Sequence, residues 1–248
     1  MLEIAMNTTL KDNMWLTFAS MLIMLTAVGL AYTFPTVFAY VDPAWFGFET
    51  IAPNIYVESS MTSSRRTNLL EKVATSKLQL QNFYGGVQSN PRIFVCAEEG
   101  CYRRLGGGMS KGMALSSIAL FISPRGESET ILTHELSHVE LHTRLAVFKI
   151  FRKHVPQWFD EGVAVVASDD RRYLKPPSDP DRCMIAPNGN LPDSHAAWIE
   201  NAQSKNLYAI AACRVSNWTQ AHGGAFAISN LLDAVSKGVP FDSVYGQK

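Results

Sequence analysis

His134-Glu135-Leu136-Ser137-His138 is the stretch on which the reading of this 248-residue chain turns, and Trp158-Phe159-Asp160-Glu161-Gly162 follows it. The first run is H-E-x-x-H. On an α-helix, residues four apart share a face and sit about 6 Å apart along the axis. Two imidazoles placed that way can converge on one ion at roughly 2.0–2.1 Å per zinc–nitrogen bond. Glu135 directly follows the first imidazole, so its carboxylate reaches beside the ion rather than onto it. A catalytic zinc needs three protein ligands and one open position, and two histidines with one glutamate are an established set. His134, His138 and Glu161 supply that set. Zn2+ is therefore the expected cofactor, with Glu135 placed to take a proton from a water.

The surroundings fit this placement. Ile131, Leu132, Leu136, Val139 and Leu145 can form one apolar face of a helix over Glu129–Arg144. Val155-Pro156-Gln157-Trp158 reads as the entry to a second helix, with Pro156 near its first turn. A short antiparallel helix pair would then bring Glu161 towards His138. His142 shares a face with the two histidines but starts about 12 Å from His134 along the axis, too far to join them on one ion. It reads as an outer partner or a solvated residue. Glu140 and Arg144, four apart, read as a helix-surface ion pair.

With these residues in view, the chain resembles the gluzincin metallopeptidases, the group of thermolysin and aminopeptidase N. That group pairs H-E-x-x-H with a downstream glutamate, often within W-[FL]-x-E-G-x-A. The corresponding run here is Trp158-Phe159-Asp160-Glu161-Gly162-Val163-Ala164. The resemblance extends from Thr130 to Leu232. It implies zinc ligation by His134, His138 and Glu161, a general base at Glu135, and hydrolysis of a peptide or protein substrate. It also implies that Gly162 and Ala164 are small so that the two active-site helices pack closely. Aminopeptidases of the group carry an oxyanion-binding tyrosine in a Y-x-x-G-F-A-like run. This chain has His222-Gly223-Gly224-Ala225-Phe226-Ala227, which sets His222 at the tyrosine position. An imidazole N–H can still donate to a developing oxyanion, and Tyr208 and His195 are alternative donors. The departure keeps a second reading open, a non-catalytic zinc- or peptide-binding module. The metzincin pattern does not fit, because Leu141 and Arg144 stand where it wants glycine and a third histidine.

From Asn13 to Val41 no residue is charged, and about 20 apolar residues suffice to cross a bilayer core. The expected organisation is a tail over 1–12, a transmembrane anchor over 13–41 and one catalytic domain over 42–248. A cleaved signal ending near Val37-Phe38-Ala39 is the alternative. Pro35 is expected to end the membrane helix near Tyr32–Phe34. Lys11 is offset by Glu3 and Asp12, so flanking charge does not fix orientation. All four cysteines follow the apolar run, and four cysteines allow three pairings. Our reading joins Cys96 to Cys101 and Cys183 to Cys213, with free buried thiols as the alternative. Disulfides would place the domain outside the cytoplasm, in a periplasm or lumen.

The 22 basic and 22 acidic residues balance, so no nucleic-acid partner is expected. Arg65-Arg66, Arg103-Arg104 and Arg171-Arg172 read as solvated pairs. Gly106-Gly107-Gly108 lacks the Lys-Ser/Thr of a phosphate loop and reads as a flexible turn or the rim of a site.

The expected fold class is α+β, a small mixed sheet followed by active-site helices in a zincin-like plan. Strands are expected over 51–58, 91–96 and 114–123. Helices are expected over 64–84, closed by Gly85-Gly86, and over 129–144, 157–168, 194–204 and 223–237, with a proline-rich loop over 175–192. In the resembled group the sheet's edge strand pairs with an extended peptide beside the metal. The run 114–123 is the candidate for that edge, with an interior strand as the alternative.

Overall fold

The computed structural model describes Met21 and residues 33–145, 155–202 and 206–246. Most of the expected membrane span lies outside the described residues. Among the described residues no helix is long and apolar enough to cross a membrane. At the end of that span Phe34 leaves helical geometry and Pro35 opens a short helix, α1 (Pro35–Val41). Proline suits a first helical position because its missing N–H would be unpaired there anyway. α1 packs onto the folded body: Ala39 is fully buried, and the Arg92 guanidinium lies 5.0 Å from the centre of the Tyr40 ring. The body thus reaches back to Pro35, before the Asp42 boundary read from charge.

Two of the expected strands are hairpins. The run 51–58 holds part of β1 (Phe48–Ala52) and all of β2 (Ile55–Glu58), turned at Asn54 with φ +63°. Asparagine tolerates that left-handed geometry better than most residues. The run 114–123 likewise spans the end of β4 (Gly112–Leu115) and β5 (Ala119–Ile122), turned at Ser116. With β3 (Arg92–Val95) these make a five-stranded sheet in the order β1-β2-β3-β5-β4. β2, β3 and β5 run parallel, and the outer strands β1 and β4 pair antiparallel to them. β5 is interior and wholly buried, while β4 is the edge strand nearest the H-E-x-x-H helix.

Alternation along the strands separates two apolar faces. Tyr56, Phe94 and Phe121 are in register and stack, with centroids 4.8 and 4.7 Å apart. They face Ala39 and a short helix α2 (Glu99–Arg104) that sequence periodicity does not mark. The Cys96–Cys101 disulfide ties the end of β3 to α2. On the other face Ile55, Val57, Ile93, Val95, Leu120 and Ile122 join one large cluster with the long helices. The first of these in chain order is α3 (Ser63–Tyr84), closed by Gly85 at φ +70°. A left-handed residue there lets the chain leave the helix while its N–H bonds the last turn, and glycine adopts it without penalty.

The remaining helices are α4 (Glu129–Leu145), α5 (Gln157–Ala167), α6 (His195–Asn201), α7 (Leu207–Ala221), α8 (Phe226–Ser236) and α9 (Phe241–Tyr245). α7 and α9 are additions to the sequence reading. α8 starts three residues late because Gly223 and Gly224 take φ +90° and +96°. The Cys183–Cys213 disulfide pins the proline-rich loop to α7, so both pairings are as read.

Two expectations about packing are corrected. A Cβ on Gly162 would stand 2.7 Å from Ala211 O and from Val215 Cγ2. The close approach that requires glycine is therefore α5 on α7, not α5 on α4. Glu140 and Arg144 are not a surface pair: both are buried. Glu140 Oε1 accepts from Arg144 Nε at 2.7 Å, and its carboxylate also accepts from the Gln88 and Ser89 amides at 2.8–3.0 Å. Arg144 Nη2 donates to Gly86 O at 2.7 Å. The pair clamps the chain just beyond α3.

Candidate metal centre

α4 and α5 bring His134, His138 and Glu161 together, and all three side chains are largely removed from solvent. The two Nε2 atoms are 3.1 Å apart. Glu161 Oε2 lies 3.5 Å from His134 Nε2 and 3.6 Å from His138 Nε2. Atoms around a tetrahedral zinc at about 2.0–2.1 Å stand roughly 3.3–3.4 Å from one another. The observed triangle has that size. Glu161 Oε2 and His134 Nδ1 are buried without a hydrogen-bond partner. A buried carboxylate oxygen left unpaired is costly, and a cation between it and the two rings removes that cost. The group could hold a metal ion.

Asp160, which the spacing argument passes over, holds the site from behind. Its Oδ1 lies 2.7 Å from His138 Nδ1 and its Oδ2 lies 2.9 Å from His142 Nε2. The carboxylate accepts from His138 Nδ1–H, fixing the tautomer whose Nε2 lone pair points to the other two ligand atoms. His142 is thus an outer partner, 18 residues from the carboxylate it contacts. Burial alone would raise the Asp160 carboxyl, but the charge and hydrogen bond of His138, with those of His142, hold it far below its ordinary range. Burial likewise opposes Glu161, yet His138 and His134 bring it down to about 2. His138 moves the other way: desolvation disfavours its charge, but the Asp160 and Glu161 carboxylates outweigh this and push it well up.

Glu135 points into a cleft of about 430 Å³ that His134 also lines. β4 comes so close that a Cβ on Gly112 would sit 2.5 Å from Glu135 Cδ. Glycine at that edge-strand position leaves room for the carboxylate. Burial raises the Glu135 carboxyl above its ordinary value; the His134 and His138 charges oppose this, and Glu161 and Asp160 add to it.

Tyr208 is the first donor candidate that the fold places here. It lines the cleft, and its ring centroid is 6.5 Å from that of His134. It stacks on Tyr173 at 5.2 Å and meets Trp198 edge-on at 5.1 Å. Burial and the Glu161 charge push its hydroxyl far up, so it keeps its proton. His222 is not brought to the centre. It caps the opposite end of α7, roughly 21 Å along the axis from Tyr208, where Nδ1–H donates to Trp218 O at 2.7 Å and the ring stacks on Trp218. His195 is exposed at the start of α6.

The glycine run 106–108 leads into Met109 and Ser110, which line the rim of the cleft. A Cβ on Gly107 would strike the Tyr102 ring, and Arg125 donates to Gly108 O at 2.9 Å and Met109 O at 3.0 Å. Arg172 is not merely solvated: it lines the same cleft and bonds Asp170 through Nε and Nη2. A second group of metal-type side chains, Glu58 with Cys96 and Cys101, is closed by the disulfide, and Glu58 Oε2 accepts from the Ala97 and Glu98 amides. No family model, no curated protein and no solved structure matches this chain, so the reading of the centre rests on its own residues and their geometry.

Proposed function

We propose that this protein is a zinc-dependent peptidase, anchored by its N-terminal apolar run with the catalytic domain on the extracytoplasmic side. The observation that carries the reading is the buried His134–His138–Glu161 triangle of ligand atoms with Glu135 beside it on the wall of a cleft. The address is supported by the uncharged stretch Asn13–Val41 and by two disulfides.

His134, His138 and Glu161 would hold the ion. Zinc in that place supplies Lewis-acid polarisation of a carbonyl and of a water. Glu135 removes the proton of the attacking water and delivers it to the leaving amine. Its raised affinity for protons suits a group that must both accept and return one. Tyr208, held protonated by burial, donates to the oxyanion. Asp160 keeps His138 in one tautomer and one orientation. The edge strand β4 offers main-chain groups to an extended peptide next to Glu135.

The test is metal analysis of the purified full chain together with cleavage of a peptide library, wild type against Glu135→Gln. Expected is about one zinc per chain in both proteins, with hydrolysis reduced about 10²–10⁴-fold in the variant. Undiminished cleavage by Glu135→Gln would remove the general base. Wild type that binds peptide and zinc but cleaves nothing would favour the non-catalytic binding module.

A further inference from the structure

Lys111 lies between the rim loop and β4. Its carbonyl accepts from Ser123 N and Ser123 Oγ, both at 2.9 Å, which fixes its backbone. The next residue, Gly112, is the one packed against Glu135. Lys111 lines the catalytic cleft, and it also lines an adjoining cleft of about 400 Å³. Arg172 lines the same two clefts, so both cations border the metal cleft and its neighbour.

Their pairing is unequal. Arg172 is held on one edge by Asp170, which is buried. Arg172 Nη1 donates to no described residue, and Lys111 Nζ has no ion-pair or hydrogen-bond partner among the described residues. Lys111 and Arg172 are the two Lys or Arg side chains lining the metal cleft, and Lys111 Nζ and Arg172 Nη1 are the donors there that neither Asp170 nor Glu135 engages by hydrogen bond among the described residues. Burial disfavours the Lys111 ammonium and Arg172 adds repulsion; the Asp170 charge opposes both, and the affinity of Lys111 for protons is lowered. Two like charges lining the same cavity are stabilised by an anion entering it.

We infer that Lys111 and Arg172 form a carboxylate-binding subsite of the metal cleft, selecting peptides that carry a carboxylate within one or two residues of the scissile bond. This rests on the peptidase reading. The carboxylate comes either from an acidic side chain or from the substrate's C-terminus, and both would meet the same two donors.

The zinc-loaded full chain is assayed with peptide pairs that differ only in an internal Glu against Gln, and with pairs that differ only in a free against an amidated C-terminus. Wild type is expected to favour the carboxylate member of one pair by about tenfold or more in kcat/KM, as one charge-assisted hydrogen bond allows. In Lys111→Gln that ratio falls to within about twofold, and in Lys111→Arg it returns. The pair that shows the preference identifies the source of the carboxylate. Binding of the same peptides to zinc-loaded Glu135→Gln protein, followed by fluorescence anisotropy, gives a readout free of turnover. Carboxylate-selective binding without cleavage of any peptide would sink the peptidase reading and leave the subsite standing. Cleavage and binding indifferent to the carboxylate, or an undiminished preference in Lys111→Gln, would overturn the subsite and leave the peptidase.

Discussion

Asp160 accepts a hydrogen bond from His138 at 2.7 Å, and Asp160 is the residue immediately before Glu161. One turn of α5 therefore supplies both Glu161 and the group that aims His138 on α4. This makes the two helices a single unit at the centre: a shift of α5 would move Glu161 and release the tautomer of His138 together.

Asp160→Asn tests that unit. The amide cannot replace a carboxylate accepting from both His138 and His142. Zinc affinity is expected to fall about 10–100-fold, measured by competition with a chromogenic chelator, while the circular dichroism of the zinc-saturated protein stays unchanged. Unaltered affinity would mean that Asp160 does not tune the ligands.

Tyr208→Phe removes the donor and keeps the ring that stacks on Tyr173. Turnover is expected to drop about 10²–10³-fold with KM and zinc content nearly constant. Replacement of His222 by phenylalanine, at the far end of α7, is expected to leave turnover as it is. The opposite pattern in steady-state kinetics would move the oxyanion donor away from Tyr208.

Glu140→Ala leaves the buried Arg144 guanidinium without its carboxylate and two amides without their acceptor. The expected cost is about 3–5 kcal/mol of stability, read as a lower urea midpoint for the metal-free protein. Folded Glu140→Ala protein is expected to bind zinc as wild type does, because none of the three ligands contacts this clamp.

Asp170 gives a pH dependence. Burial would raise its carboxyl, but the hydrogen bonds and charge of Arg172 win and lower it. A carboxylate whose folded pKa lies below the unfolded value of about 3.9 contributes stability that is fully present above that value and is lost as pH falls through the folded one. Urea midpoints between about pH 6 and pH 2 are therefore expected to fall in the acid limb, and to fall less steeply in Asp170→Asn. Parallel acid limbs would show that the Arg172 pair is not linked to folding.

The legibility of the chain follows the range of the forces involved. The helix carrying His134 and His138 is visible because metal geometry and an apolar face impose the same four-residue spacing on one element. α3 is visible because its apolar positions are periodic and Gly85 ends it. The hairpin turns at Asn54 and Ser116 are hidden because neither carries glycine, and each joins strands of only four or five residues. α7 is hidden for another reason: its buried residues are mostly small, Ala209, Ala211, Ala212 and Ser216 among them, so no large apolar stripe marks it. Their smallness has meaning only against Gly162 of α5.

By itself the sequence determined that two histidines and a glutamate of metal-ligand type stand at helical spacing and on the following helix, with Glu135 beside the first, and it determined the α+β order of strands before helices and the supply of four cysteines after an uncharged run. Those properties are local, set by neighbours within a helical turn or by composition. Only the tertiary structure decided that Asp160 serves His138, that Tyr208 rather than His222 faces the centre, that Glu140 and Arg144 are buried, and that Lys111 and Arg172 share a cleft. Each of these joins residues distant in the chain, and their proximity is fixed by how the helices pack on the sheet, a property of the whole folded body that no short window of residues contains.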